Sequence, residues 1–290
     1  MSPGYFTIGK RRSPGLQSGG FVGKDGKNLK IAISGKGGVG KTTVAAVLAR
    51  LFGREGRKVL LVDADPAPNT ASALGLSREQ SEKIVPLCEM SDLIEERTGV
   101  KPGQSYGQMF RLNPKVEDIA EKFGVPGKDG VHLLVLGTIK SAGQGCFCPE
   151  SALLKALLKH LVLKKQEVII LDMEAGLEHL GRGTAQGMDL LIMVVEPGLR
   201  STGVARQISA MSRDLGIKRV GVVINKVRDP SQAVLVAREL EGIEVLGQIP
   251  MDEGLVEADL GGISPADHPG ASRSVKAIGE LKDRIVKLLS

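Results

Sequence analysis

The chain has 290 residues, 42% hydrophobic and 25% charged, with three cysteines. That is enough length and apolar content for a substantial core, which excludes a disordered or fibrous protein; the cysteines are too few for a disulfide framework, so a reducing, cytoplasmic setting is expected. The net charge of +6 is no nucleic-acid signature, because residues 1–30 hold Lys10, Arg11, Arg12, Lys24, Lys27 and Lys30 against Asp25 alone, and the rest is nearly neutral.

Residues 1–28 are rich in Gly, Ser and basic residues and read as a disordered extension. Residues 29–290 read as one domain. Its strand candidates are short, β-branched and apolar almost throughout: 29–34, 58–63, 131–136, 167–172, 190–195, 219–224 and 243–249. Helical patterns such as 42–53, 151–164 and 201–215 separate most of them. Strands apolar on both faces and alternating with helices predict a doubly wound α/β fold. Its sheet should be mostly parallel, with seven to eight strands and helices on both faces. Residues 76–129 are irregular and read as an insertion. Near the C-terminus Val275, Ile278, Leu281, Ile285 and Leu288 form one apolar stripe, expected to pack on the sheet. No apolar run approaches the ~18 residues of a membrane span and no apolar leader opens the chain, so neither a membrane nor a nucleic-acid partner is expected.

The first strand runs into "GKGGVGKTT", which fits G-x-x-x-x-G-K-[ST] in the required strand–loop–helix context. Gly35, Gly37, Gly38 and Gly40 let the backbone N–H groups of the loop, including those of Lys36 and Val39, approach phosphate oxygens. The helix dipole beginning at Lys41, Thr42 and Thr43 adds to that field. Lys41 should reach the β- and γ-phosphates and the Thr42 hydroxyl should ligate Mg²⁺.

Together, "KGGVGKTT" and "VLLVDADP" resemble the deviant Walker ATPases of the MinD/ParA superfamily. The resemblance implies that Lys36 crosses a dimer interface to the partner's phosphates, as an arginine finger does. It implies that Asp65 positions the attacking water, that Asp63 lies near Mg²⁺, and that Asp172 in "ILDMEAG" is the Walker-B aspartate, with Gly176 as a switch residue. It also implies that Asn225 bonds adenine and that Pro250 packs on the base. Lys226 is followed by "VRD", not by the Asp-bearing guanine motif, so ATP is favoured over GTP.

"GCFCPE" places Cys146 and Cys148 one residue apart, on the same side of an extended stretch. Two thiolates make half of a tetrahedral or square-planar site, and a two-fold partner completes it as S₄ on the symmetry axis. Cys88, distant in sequence, reads as a buried thiol. Lys36 independently asks for the same face-to-face homodimer. "GQGCFCPES", "DMEAGLEHLGRGTA" and "VINKV" further resemble the CooC-type maturation ATPases of carbon monoxide dehydrogenase. That likeness implies nickel as the bound ion, with carbon monoxide dehydrogenase or acetyl-CoA synthase as client. His179, just past Asp172 in the switch region, reads as a hydrogen-bonding switch residue. The thiolates themselves would suit Zn²⁺ at least as well and could hold an iron–sulfur cluster. A positioning ATPase of the ParA/MinD type and an iron–sulfur cluster carrier ATPase stand as the alternative readings.

Overall fold

A computed structural model describes residues 28–65, 69–103, 109–137, 148–163, 168–175, 177, 180 and 182–290. In chain order the elements are β1 (Leu29–Ser34), α1 (Lys41–Arg54), β2 (Val59–Ala64), α2 (Thr70–Ala73), α3 (Arg78–Glu82), α4 (Ser91–Thr98), α5 (Ile119–Phe123), β3 (Val125–Pro126), β4 (Val131–Val135), α6 (Pro149–Leu163), β5 (Val168–Met173), α7 (Arg182–Ala185), β6 (Leu190–Val195), α8 (Leu199–Leu215), β7 (Val220–Val227), α9 (Pro230–Glu239), β8 (Glu244–Pro250), α10 (Glu253–Leu260) and α11 (Ser272–Leu289). The expected extension at 1–28 lies outside the described residues apart from Asn28.

The strands form one eight-stranded sheet in the order β3-β4-β2-β5-β1-β6-β7-β8. Every described pairing is parallel except β3 with β4. The seven apolar runs all become strands, shifted by no more than a few residues. Strands β2, β5 and β6 are buried at every position, which is why they read as continuous apolar runs instead of alternating ones. Strand β3 escaped the sequence reading because it is two residues long, contains Pro126 and lies antiparallel at the sheet edge.

Two apolar layers cover the sheet. One includes Leu153, Leu157 and Leu161 of α6 with Ile208 of α8; the other includes Val44, Leu48 and Phe52 of α1 with Ile278, Leu281 and Ile285 of α11. The C-terminal stripe therefore packs on the domain's own sheet and on α1, with Leu289 also buried and Val275 and Leu288 partly so. Among the described residues no helix is long and apolar enough to cross a membrane. Helix α9 opens with Pro230 behind a capping box, in which Asp229 accepts from the Ser231 N–H at 2.8 Å and Gln232 reaches back to the cap.

Among its described residues the irregular stretch folds as α3, α4, α5, β3 and 3-10 turns at Leu87–Glu89 and Lys128–Gly130. Cys88 sits in that turn. It is half-buried where a buried thiol is expected from sequence, and its N–H donates to the Leu136 carbonyl at 3.0 Å.

Candidate nucleotide site

Strand β1 lies between β5 and β6, so the crossover direction reverses beside it and opens a crevice at the carboxyl ends of the strands. A cleft of about 650 Å³ occupies this position, running from Gly37, Lys41, Thr42 and Asp65 to Asn225, Pro250 and Ile263. The sequence-predicted loop residues converge there. Gly35, with φ of +149°, passes so close to the Val194 carbonyl that a Cβ would collide with it. Gly40, with φ of +94°, is equally confined by the Asn225 amide and leads directly into α1.

Lys41 is 5% exposed and its ammonium turns back to the Lys36 carbonyl at 3.4 Å. The Thr42 hydroxyl donates to Asp172 Oδ2 at 2.7 Å, tying the start of α1 to the end of β5. Asp63 and Asp172 are paired across β2 and β5, and both are fully buried. Among the described residues Asp172 Oδ1 and Asp63 Oδ2 have no hydrogen-bond partner. Burial pushes the Asp172 carboxyl up to about 7, reinforced by Asp63 and Asp65 and opposed by Thr42 and Lys41. Burial also raises Asp63, opposed first by the Thr70 side chain and then by the bond that its Oδ1 accepts from the Asp65 N–H at 3.0 Å.

Two buried carboxylates, each with an oxygen that has no hydrogen-bond partner among the described residues, next to a threonine hydroxyl and a phosphate loop, have the donor chemistry that Mg²⁺ takes. Asp65 is half-buried and lines the cleft. Gly176 and His179 lie outside the described residues.

At the far end, Asn225 and Pro250 both line the cleft. Asn225 is only 4% exposed, and its Nδ2 donates to the Val39 carbonyl at 2.8 Å, so part of its amide serves the phosphate loop before any base arrives. Two residues assigned no role at the site from sequence also meet the loop. Lys226 donates to the Gly38 carbonyl at 2.6 Å, and Glu196 receives Lys226 at 3.2 Å and Lys36 at 3.6 Å. Both stand at carboxyl ends of strands, the one signal that could have found them. Lys36 thus rests on its own chain's Glu196, with a side chain 40% exposed.

The cysteine pair is only half visible. Cys146 lies outside the described residues, whereas Cys148 sits just before α6. Its thiol donates to the Ser151 hydroxyl at 3.0 Å, and burial raises its pKa, opposed by Ser151 and reinforced by Glu150. Among the described residues no group of three or more His, Cys, Asp or Glu side chains is placed to hold a metal ion.

The fold and cleft define a P-loop ATPase. Residues 30–265 match the CobQ/CobB/MinD/ParA nucleotide binding domain family, to which the chain belongs as a CooC-type member. It is 44% identical over 245 residues to the carbon monoxide dehydrogenase accessory protein CooC of Rhodospirillum rubrum, spanning 84% of this chain and 92% of that one. It is 48% identical over 263 residues to an uncharacterized ATP-binding protein of Methanocaldococcus jannaschii, spanning 90% and 98%. Among solved structures, the septum site-determining protein MinD of Pyrococcus horikoshii, complexed with Mg-ADP, aligns with a TM-score of 0.63. The identity is 20%, and the alignment covers 90% of this chain and 97% of that one, a likeness of fold.

Proposed function

We propose that this ATPase delivers nickel to the active-site cluster of carbon monoxide dehydrogenase, or of acetyl-CoA synthase, working as a homodimer whose two C-x-C pairs clamp the ion. The observation that carries this reading is the 44% identity with a carbon monoxide dehydrogenase accessory protein. In this sequence it is joined to Cys146 and Cys148, which make half of a four-thiolate site.

In the mechanism, loop N–H groups from Gly35 to Thr43 and the Lys41 ammonium hold the phosphates. Thr42, Asp172 and Asp63 are the groups that would hold Mg²⁺, which supplies charge neutralisation to the transferring phosphoryl group. Asp65 orients the attacking water. Lys36 leaves Glu196 and reaches the partner's phosphates. An exposed pair of this kind is worth about 0–1 kcal/mol, so little opposes that move. Asn225 and Pro250 take the adenine. Loss of the γ-phosphate frees the switch at Gly176, the spacing of the cysteine pairs changes, and nickel passes to the client as cargo. Such a gate works only if the closed and open dimers bind nickel with different affinity.

The test is metal content together with mass in solution, for the wild type and for the Cys146→Ser/Cys148→Ser double variant. The reading requires about one nickel per two chains in the wild type and none in the variant. Nickel titrations with and without a non-hydrolysable ATP analogue, repeated against Zn²⁺, follow. Equal nickel loading in the double variant would end the proposal, and equal affinity with and without the analogue would end the gate.

A further inference from the structure

Among the described residues two that are not glycine have positive φ, Asp129 at +55° and Lys226 at +56°. Aspartate enters this left-handed region readily because its short side chain can bond the local backbone; lysine has no such compensation. The strain at Lys226 therefore asks what its side chain does.

The backbone conformation accompanies a side chain laid against the tip of the phosphate loop. There the ammonium lies 2.6 Å from the Gly38 carbonyl and 3.2 Å from Glu196 Oε2. The preceding residue, Asn225, holds the next carbonyl, that of Val39, at 2.8 Å. Two successive loop carbonyls are thus fixed from the end of one strand. Because each peptide is planar and trans, the N–H groups in those two planes, of Val39 and Gly40, face away from the groups that hold the carbonyls. The Val39 N–H keeps only a long bond of 3.5 Å to the Lys36 carbonyl, and so stays available to a phosphate oxygen. Glu196 joins Lys226 to Lys36, so one carboxylate holds both lysines beside the loop.

We propose that Lys226 is a positioning residue of the ATP site: it pins the loop tip in its phosphate-receiving shape, and the strained backbone persists because this side chain is needed there. The inference rests on the ATPase activity alone, so its readouts contain no nickel and stand apart from the delivery reading.

The experiment compares Lys226→Gly, which removes both strain and ammonium, with Lys226→Met, which keeps the stem and removes only the charge. Melting of the nucleotide-free protein and steady-state ATP hydrolysis are measured for both. In both variants KM for ATP should rise about 10-fold or more, the loss expected for a hydrogen bond from a charged donor, with a much smaller change in kcat. The glycine variant should melt at or up to a few degrees above the wild type, since glycine accepts positive φ freely. An unchanged KM in both variants overturns the proposal, as does a fall in kcat as large as the rise in KM. Should the glycine variant fail to fold, the methionine variant decides on KM alone.

Discussion

At Asp172 the chain keeps a carboxyl group with no exposure, one oxygen bonded to Thr42 and the other without a hydrogen-bond partner among the described residues. A carboxyl raised from 3.8 to about 7 holds a proton in the fold that the unfolded chain has already released. The folded state is therefore the one that binds more protons between about pH 4 and pH 7, and the metal-free protein loses stability as pH climbs through that window. Above it the penalty is complete. Asp172→Asn removes the buried charge while leaving an oxygen to accept from Thr42. The variant should melt higher than wild type at pH 8 without nucleotide, and the difference should vanish near pH 4. If Asp172 holds Mg²⁺ through water, the same variant should lose about 10–100-fold in Mg²⁺-dependent ATP hydrolysis. Scanning calorimetry at both pH values and a hydrolysis assay check this, and a variant that melts lower at pH 8 would show that the carboxylate stabilises the apo cleft.

The elements around the cleft differ in how openly the sequence announces them. Strands such as β5 declare themselves because both faces are covered, and the phosphate loop because its glycines and Lys41 must recur at fixed spacing. The clamp behind the cleft was silent in sequence, since its members lie up to 217 residues apart. Arg50, 1% exposed in the middle of α1, makes a bidentate pair with Asp267 at 2.8 and 3.2 Å and also reaches Asp129 at 2.5 Å. One turn on, Arg54 binds the same two carboxylates. Nearby, Ser264 donates to the Ala73 carbonyl at 2.7 Å. The loop that carries Ile263 and Pro265 into the cleft wall is thus stapled to α1 and to α2. Lys226 was equally silent, because a positive φ leaves no mark on hydrophobic periodicity.

Burial works to raise the Asp267 carboxyl, but Arg50 and Lys128 overcome it and hold the group down at about 2. A depressed carboxylate contributes stability above its unfolded pKa and loses it as pH falls from about 4 towards 2. Asp267→Asn should lower the melting temperature at pH 7 and shrink that difference towards pH 2, because the folded wild type is by then half protonated and little of the charge contribution is left. Thermal melts at both ends of the range measure it, and an equal deficit at pH 2 would assign the loss to packing instead of charge.

For the whole molecule the question is whether one chain makes a complete catalytic site. In the single chain Lys36 lies on its own Glu196 beside its own phosphate loop, and hydrolysis within one chain and hydrolysis across a dimer make different demands on it. Complementation separates them. Lys36→Ala and Asp65→Ala should each be nearly inactive alone. If Lys36 serves the partner's nucleotide, a mixed dimer has one site with an intact Asp65 facing an intact Lys36, and a second site that lacks both. Random mixing of equal amounts makes half of the dimers mixed, so about a quarter of wild-type activity should return. If Lys36 serves its own nucleotide, every site in the mixture lacks one group and nothing returns. Activity that appears on mixing should also rise with total protein concentration, because it depends on the two chains meeting. Recovery near zero at concentrations where the wild type is dimeric would place Lys36 in its own chain's site and remove the reason to require two copies for hydrolysis.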